Sequence, residues 1–307
     1  MTGSVADRPE ERFGFLKGGA IGLRSKAEAR FRAIVDLKLA PYVAELDAFG
    51  YTVIPPELVG SADQVERIKK AVVRVAKSRF GIAIDDDLTV PDLSKLGAQA
   101  QSGQILLFYL LFEGPEFEEW LDNPVLLALV DYFMRGSGQL SSMISFVKWK
   151  GGNYGSGLGL HSDSPSSPEG VIPGSYDFIV NAALVLSPYT RENGAIAVVP
   201  GSHNLGRQPQ PGEGVDDAIP VEAPVGSLIF WRGGIWHGAY PKLSDGYRLN
   251  LTTYFVNRAF KTQERYGREH VPPELLAGRD ERYARILGMD NYLGWDARGP
   301  EGELVLI

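Results

Sequence analysis

Tyr247-Arg248-Leu249-Asn250-Leu251-Thr252-Thr253-Tyr254-Phe255 alternates between two kinds of side chain. Successive residues of a strand point to opposite faces. Arg248, Asn250, Thr252 and Tyr254 therefore share one face, and Leu249, Leu251, Thr253 and Phe255 share the other. The mostly apolar face calls for a core. Two arrangements account for the polar face: a sheet with one side in water, or a barrel whose interior holds a small charged ligand. An arginine suits the second, because a guanidinium clamps a carboxylate with two parallel hydrogen bonds.

Further strand-like segments precede this one at 142–149, 176–186, 194–199 and 226–231, and the last runs over 247–256. Gly, Pro, Asn and Asp punctuate them. The first half reads mainly helical. Apolar residues recur at near-helical spacing from Ser25 to Asp47, with Pro41 breaking or restarting the pattern. Gly50 to Ile54 predicts a short strand ended by Pro55-Pro56. Ser61 and Gln64 form a capping-box pattern ahead of a helix whose buried stripe is Val65, Ile68, Val72 and Val75. Another helix is expected over Glu116–Phe133, and a loop over the acidic, polar stretch 85–104. A run of helices followed by a run of strands implies an α+β, mainly β fold: antiparallel β-structure covered by helices, with a jelly roll among the candidates. With no internal repeat or linker, residues 1–307 are expected to form one domain. It comprises a mostly helical part (1–140), a β core carrying the site (141–260) and a C-terminal extension (261–307).

Composition narrows the chemistry. The chain has no cysteine, which excludes disulfides, thiolate metal sites, iron–sulfur clusters and a cysteine nucleophile. A metal must be held by His, Asp or Glu, and there are only four histidines, at 161, 203, 237 and 270. The formal net charge of −7 argues against nucleic acid as a partner and gives no reason to expect an anionic membrane. The N-terminus lacks the apolar centre of a secretion signal, and no apolar run approaches the roughly 20 residues needed to span a bilayer. The cytoplasm is the default location, and a small molecule the expected partner.

His161-Ser162-Asp163 offers an imidazole and a carboxylate two residues apart, which a strand would direct to one face. His237 can supply a third ligand. Two imidazoles and one carboxylate on one face of an octahedron leave positions open, the arrangement of non-haem iron(II) oxygenases. The glycine-rich run from Gly151 to Gly159 leads into this site. A phosphate cradle would need a helix N-terminus behind it, and His161-Ser162-Asp163-Ser164-Pro165 starts a helix poorly. A flexible loop beside the site is the better reading.

These residues resemble the phytanoyl-CoA dioxygenase-like family of iron(II)/2-oxoglutarate oxygenases. Leu46-Asp47-Ala48-Phe49-Gly50-Tyr51-Thr52-Val53-Ile54-Pro55 is similar to the family's opening strand, and His161-x-Asp163 to its first two ligands. The most specific stretch is Glu192-Asn193-Gly194-Ala195-Ile196-Ala197-Val198-Val199-Pro200-Gly201-Ser202-His203, which resembles the central turn and strand. Gly226-Ser227-Leu228-Ile229-Phe230 followed by His237 resembles the distal ligand region. The resemblance runs from about 45 to 260. It implies a double-stranded β-helix, a distorted jelly roll with N-terminal helices packed outside. It also implies Fe(II) held by His161, Asp163 and His237, with 2-oxoglutarate and O2 as cosubstrates. Arg248, eleven residues beyond His237, stands where the family places the arginine that binds the distal carboxylate of 2-oxoglutarate. Decarboxylation to succinate would then be coupled to oxidation of a small organic substrate. Halogenating relatives replace the carboxylate ligand with a small residue, so Asp163 favours hydroxylation or a related oxidation. Ala239 departs from relatives that carry a hydroxyl there. The residues leave two rivals: a jelly-roll metal isomerase or hydrolase without 2-oxoglutarate, and a non-catalytic jelly-roll binding protein. Arg248 counts against the first, and the intact triad with Arg248 against the second.

Asn181 stands out as the polar residue in Phe178–Leu186. A buried amide needs partners, and either cosubstrate or substrate contact, or a bond to a neighbouring strand, would serve. His203 is read as part of a structural turn, and His270 as solvated. Lys148 and Lys150 precede the glycine run; solvated strand ends are the better reading, with cosubstrate contact by one of them the alternative. Trp231 and Trp236 are read as core or rim with substrate contact open to them, and Asp85-Asp86-Asp87 as a solvated acidic loop. The sequon Asn250-Leu251-Thr252 falls in a strand and is not expected to be used.

Overall fold

A computed structural model of the chain describes residues 19–84, 103–151, 155–164, 177–266 and 270–289. The N-terminal charges, Asp85–Asp87, most of 85–104, Gly152–Tyr154, residues 165–176 and the last residues of the C-terminal extension lie outside the described residues.

The first helical pattern is two helices, α1 (Gly19–Asp36) and α2 (Ala40–Phe49). Pro41 sits in the first turn of α2, where a missing N–H is no loss. Gly50, at φ +84°, ends α2 by donating to Leu46 O at 3.0 Å, and β1 (Tyr51–Ile54) follows. After the single turn α3 (Pro56–Val59), α4 (Ala62–Phe80) begins with Ser61 Oγ accepting from Gln64 N at 3.1 Å. Its buried stripe includes Val65, Ile68, Val72 and Val75, as the periodicity predicts. The Gln64 side chain bonds Glu119 instead of returning to the cap.

The helix expected over Glu116–Phe133 is divided into α5 (Pro115–Leu121) and α6 (Pro124–Phe133). Asn123 makes the break: its Oδ1 accepts from Val125 N and Leu126 N, both at 3.1 Å, and Pro124 opens the next helix. A strand that the sequence reading does not anticipate, β2 (Gln104–Leu107), begins at the last residue of the stretch expected as loop.

The remaining strands are β3 (Gly138–Trp149), β4 (Ile179–Val185), β5 (Ile196–Val199), β6 (Ile219–Val221), β7 (Leu228–Arg232), β8 (Trp236–Ala239), β9 (Tyr247–Arg248) and β10 (Asn250–Asn257). The large sheet runs β1-β7-β4-β10-β3-β2 with β9 on β3, and the small one runs β6-β5-β8. Every pairing is antiparallel. Two short helices, α7 (Pro273–Leu276) and α8 (Glu281–Ile286), follow.

The alternation over 247–255 divides the molecule into two sides. Leu249, Leu251 and Phe255 join a buried cluster shared with residues of α4, α5 and α6. Thr253 on the same side accepts from Trp120 Nε1 at 3.0 Å, which satisfies the polar atoms at that packed contact. Arg248, Asn250, Thr252 and Tyr254 face the other way and line a cavity with residues of the small sheet. The architecture is the expected jelly roll: curled antiparallel sheets enclosing a site, with helices on the outside.

Candidate metal centre

His161, Ser162 and Asp163 are not part of a regular strand. His161 forms an isolated bridge to His237, with N–H···O bonds of 2.9 Å in both directions. Ser162 is clamped by Gln208, whose side chain accepts from Ser162 N at 2.8 Å and donates to Ser162 O at 2.6 Å. Ser162 Oγ donates to Gly233 O at 3.0 Å. These bonds, in place of a ladder, set the common direction of His161 and Asp163. His237 comes from β8, where it pairs with Val198 of β5. Gly238 makes the close approach possible, since a Cβ there would lie 2.2 Å from Leu158 O.

One donor atom from each of His161, Asp163 and His237 lies within 4.8 Å of the others. His161 Nε2 is 3.4 Å from Asp163 Oδ1, and His237 Nε2 is 3.4 Å from Asp163 Oδ2. An ion about 2.1 Å from each donor on an octahedral face needs donors about 3 Å apart, so each imidazole is within a few tenths of an ångström of that spacing from one of the two Asp163 oxygens. Both imidazoles are oriented for ligation. His161 Nδ1 is 2.8 Å from Gly159 O and His237 Nδ1 is 3.2 Å from Ile235 O. Protons placed on Nδ1 by these carbonyls leave both Nε2 lone pairs directed at the common point. The donor set fits a divalent transition metal with open positions.

Burial raises the Asp163 carboxyl, but the His237 and His161 rings and the Asn181 amide together hold it below its ordinary range. The hydrogen bond to Asp163 raises His161. Burial lowers His237. Asn181 Nδ2 donates to Asp163 Oδ2 at 2.6 Å, and its Oδ1 is buried with no hydrogen-bond partner.

The cavity, about 220 Å³, is lined by His161, His237 and Arg248 among others. Arg248 is only 4% exposed. Its guanidinium lies over the Tyr189 ring, 4.6 Å from the centroid, and its Nε is buried without a partner. Among the described residues no carboxylate pairs with it. A buried arginine in this state is suited to an anion from outside. Ala239 lines the same cavity and offers no side-chain donor.

The family model for phytanoyl-CoA dioxygenase (PhyH) matches residues 46–250, a span that includes the three clustered donors and Arg248. The chain belongs to this family. The uncharacterized protein Rv1501 of Mycobacterium tuberculosis is 28% identical over 213 residues, 67% of this chain and 74% of that one. The dioxygenase andF of Emericella variicolor is 30% identical over 118 residues, 38% of this chain and 40% of that protein. The crystal structure of the epimerase SnoN in complex with Fe3+, alpha ketoglutarate and nogalamycin RO superposes with a TM-score of 0.53. That match has 18% identity and covers 80% of this chain and 93% of that one.

Other residues of this PhyH-family chain fall into place around the cavity. Trp231 lines it, 5.5 Å from the His237 ring between centroids, and its Nε1 is buried without a partner. Trp236 instead donates to Arg207 O at 2.7 Å and stacks under that guanidinium. His203 is buried in the turn after β5, bonded to Asp47 O and outside the donor cluster, and His270 is exposed. Asn250 is buried in β10, with its amide bonded to Phe146 N and Thr252 Oγ1. Lys150 pairs with Asp245 at the surface, as a solvated strand end should.

Lys148 is a correction. It is 1% exposed and donates to Tyr240 O at 2.8 Å. Burial, then the neighbouring charges of Arg248 and Lys242, bring its pKa down to about 7. Sequence reasoning also missed Gln208 and Gly238. Gln208 carries no local signal in its loop, whereas Gly238 beside a candidate ligand is a signal that a close backbone approach explains.

Proposed function

We propose that the chain is a non-haem iron(II), 2-oxoglutarate-dependent oxygenase acting on a small organic molecule. The observation that carries this reading is a His-Asp-His donor cluster whose histidines line one cavity with a buried arginine that has no anionic partner among the described residues. The PhyH family membership and the dioxygenase among its relatives support it.

In this reading His161, Asp163 and His237 hold Fe(II). When bound, iron and 2-oxoglutarate with O2 supply the oxidising chemistry, coupling cosubstrate decarboxylation to oxidation of a substrate C–H bond. The protein's part is ligation, orientation and exclusion of water. Arg248 anchors the distal carboxylate of 2-oxoglutarate by a charge-assisted fork. Asn181 fixes the rotation of Asp163 and leaves one carboxylate oxygen to the metal. Asp163 itself favours oxygenation over halogenation, because no ligand position is vacated for a halide. Trp231 and Tyr254 offer aromatic surface to the cavity.

The test is succinate formation from 2-oxoglutarate across a panel of small organic substrates, with Fe(II) and O2 supplied. A substrate should stimulate turnover in the wild type, and His161→Ala and Asp163→Ala should abolish it. Full turnover in both variants would overturn the assignment.

A further inference from the structure

We propose that Lys148 is a second cation for the cosubstrate's distal carboxylate, and that filling this pocket draws a proton onto its amine. The inference rests on the Arg248 reading above and adds a residue and a proton to it.

The placement comes from the strands. Phe146 lines the cavity, and alternation puts Lys148, two residues on, on the same inner face of β3. Lys148 is the register partner of Arg248 across the β3–β9 pair. Its Nζ reaches Tyr240 O, immediately after the cavity-lining Ala239. The amine thus lies between the strand that carries Arg248 and the end of β8. Ala239 provides no donor there, so further charge at this end of the cavity must come from elsewhere.

Among the described residues, Arg248 from β9 and Lys242 from the segment after β8 are the charged groups that lower Lys148. Gln104, its register partner on β2, is neutral. Asp245, Lys150 and Glu192 act on Lys242, whose ammonium bonds Asn193 Oδ1, Ser244 O, Ser244 Oγ and Asp245 O. Lys242 is therefore committed to its own loop, and Lys148 stands opposite Arg248 in the β3–β9 register.

Before the anion arrives, burial and two adjacent cations favour the neutral amine, with a pKa of about 7. A carboxylate at Arg248 reverses the local balance and favours the ammonium. The amine then takes one proton from solvent, and no other bond changes. Above pH 7 the affinity for 2-oxoglutarate should fall with pH by up to about tenfold per unit, because the bound state holds a proton that the free state has lost. Lys148 is a positioning residue here, acting on cosubstrate and not on the reacting carbon.

The experiment is anaerobic calorimetric titration of 2-oxoglutarate into the Mn(II)-loaded protein at pH 7.5, in two buffers of different protonation enthalpy. Wild type should take up roughly three-quarters of a proton per site, the fraction neutral for a group of this pKa. Lys148→Met should bind more weakly and take up none. Lys148→Arg, always charged, should restore binding without uptake and flatten the pH profile. With 2-oxopentanoate, which keeps the keto acid end but lacks the distal carboxylate, wild type should show no uptake. Binding of 2-oxoglutarate with no proton uptake, or with uptake unchanged in both variants, overturns the role of Lys148 alone. Failure of wild type to bind 2-oxoglutarate overturns this proposal together with the reading it rests on.

Discussion

Gly238→Ala places a methyl group where the backbone has no room. The added Cβ would sit 2.2 Å from Leu158 O and 3.0 Å from the Gly159 carbonyl carbon. Ordinary contact is about 3.5 Å, so the 158–161 segment must retreat from β8 by about 1 Å. Three backbone bonds span that gap: the His161–His237 pair at 2.9 Å each and Ala239 N to Leu158 O at 3.0 Å. At about 1 kcal/mol each, their weakening with the overpacking itself destabilises the protein by about 2–4 kcal/mol. The functional effect should be larger than the loss of stability implies. A 1 Å displacement takes His161 Nε2 out of reach of an ion held by Asp163 and His237, so metal affinity should fall at least about 100-fold. Titration with Co(II) at a temperature where the variant is folded, with circular dichroism in parallel, measures both. Gly157→Ala is the control, because a Cβ at Gly157 meets nothing within 4 Å in the same loop. A folded Gly238→Ala protein that binds metal within about threefold of wild type would refute the reasoning.

Arg248→Ala should weaken 2-oxoglutarate binding by about 10- to 150-fold, the worth of charged hydrogen bonds of about 1.5–3 kcal/mol, with Arg248→Lys between it and wild type. Direct titration of 2-oxoglutarate checks this, and an unchanged affinity removes the residue's role. Asn181→Ala should lower metal affinity by about 10- to 100-fold while 2-oxoglutarate binding at saturating metal changes less, since the amide acts through Asp163. Equal losses in both would place Asn181 in direct contact with the cosubstrate. In the ligand-free protein, Lys148→Met should change the pH dependence of stability. The folded pKa of Lys148, about 7 against an ordinary 10.5, is depressed, so the unfolded chain binds the extra proton between those values. Stability should rise from pH 7 toward 10.5, and below 7 the full penalty, a few kcal/mol at about 1.4 per pH unit, should be present. Urea denaturation at pH 7, 8 and 9 should show that slope in wild type and a flatter one in Lys148→Met. Parallel slopes would contradict the burial argument.

The legible parts of the sequence were those with a period or a motif. Alternation over 247–255 assigned each side chain to the correct face, because a strand packed on one side and lining a cavity on the other must repeat every two residues. Short elements were lost. Gln104–Leu107 has four residues and adjoins polar sequence, too little for a period, and β6 and β8 are no longer. The single helix expected over 116–133 failed because the capping signal of Asn123-Pro124 was outweighed by apolar residues on both sides. In the site, residue type, spacing and the family resemblance pick out His161, Asp163, His237 and Arg248; the structure clusters the first three, and both histidines share a cavity with Arg248. Their supports were not found that way. Asn181 meets Asp163 only because β4 passes behind it, and Gln208 reaches Ser162 from a loop 46 residues away. Lys148 looked like a solvated strand end, because the groups that bury it come from distant parts of the chain, including Arg248 and Tyr240.

The central claim is that His161, Asp163 and His237 present one metal to 2-oxoglutarate bound at Arg248. Anaerobic addition of Fe(II) and then 2-oxoglutarate to the purified protein, followed by visible absorption, tests it most directly. The account predicts a weak charge-transfer band that needs both components, disappears in His161→Ala and Asp163→Ala, and requires far more 2-oxoglutarate in Arg248→Ala. No band in the wild type with iron bound, or an undiminished band in the two ligand variants, would contradict it.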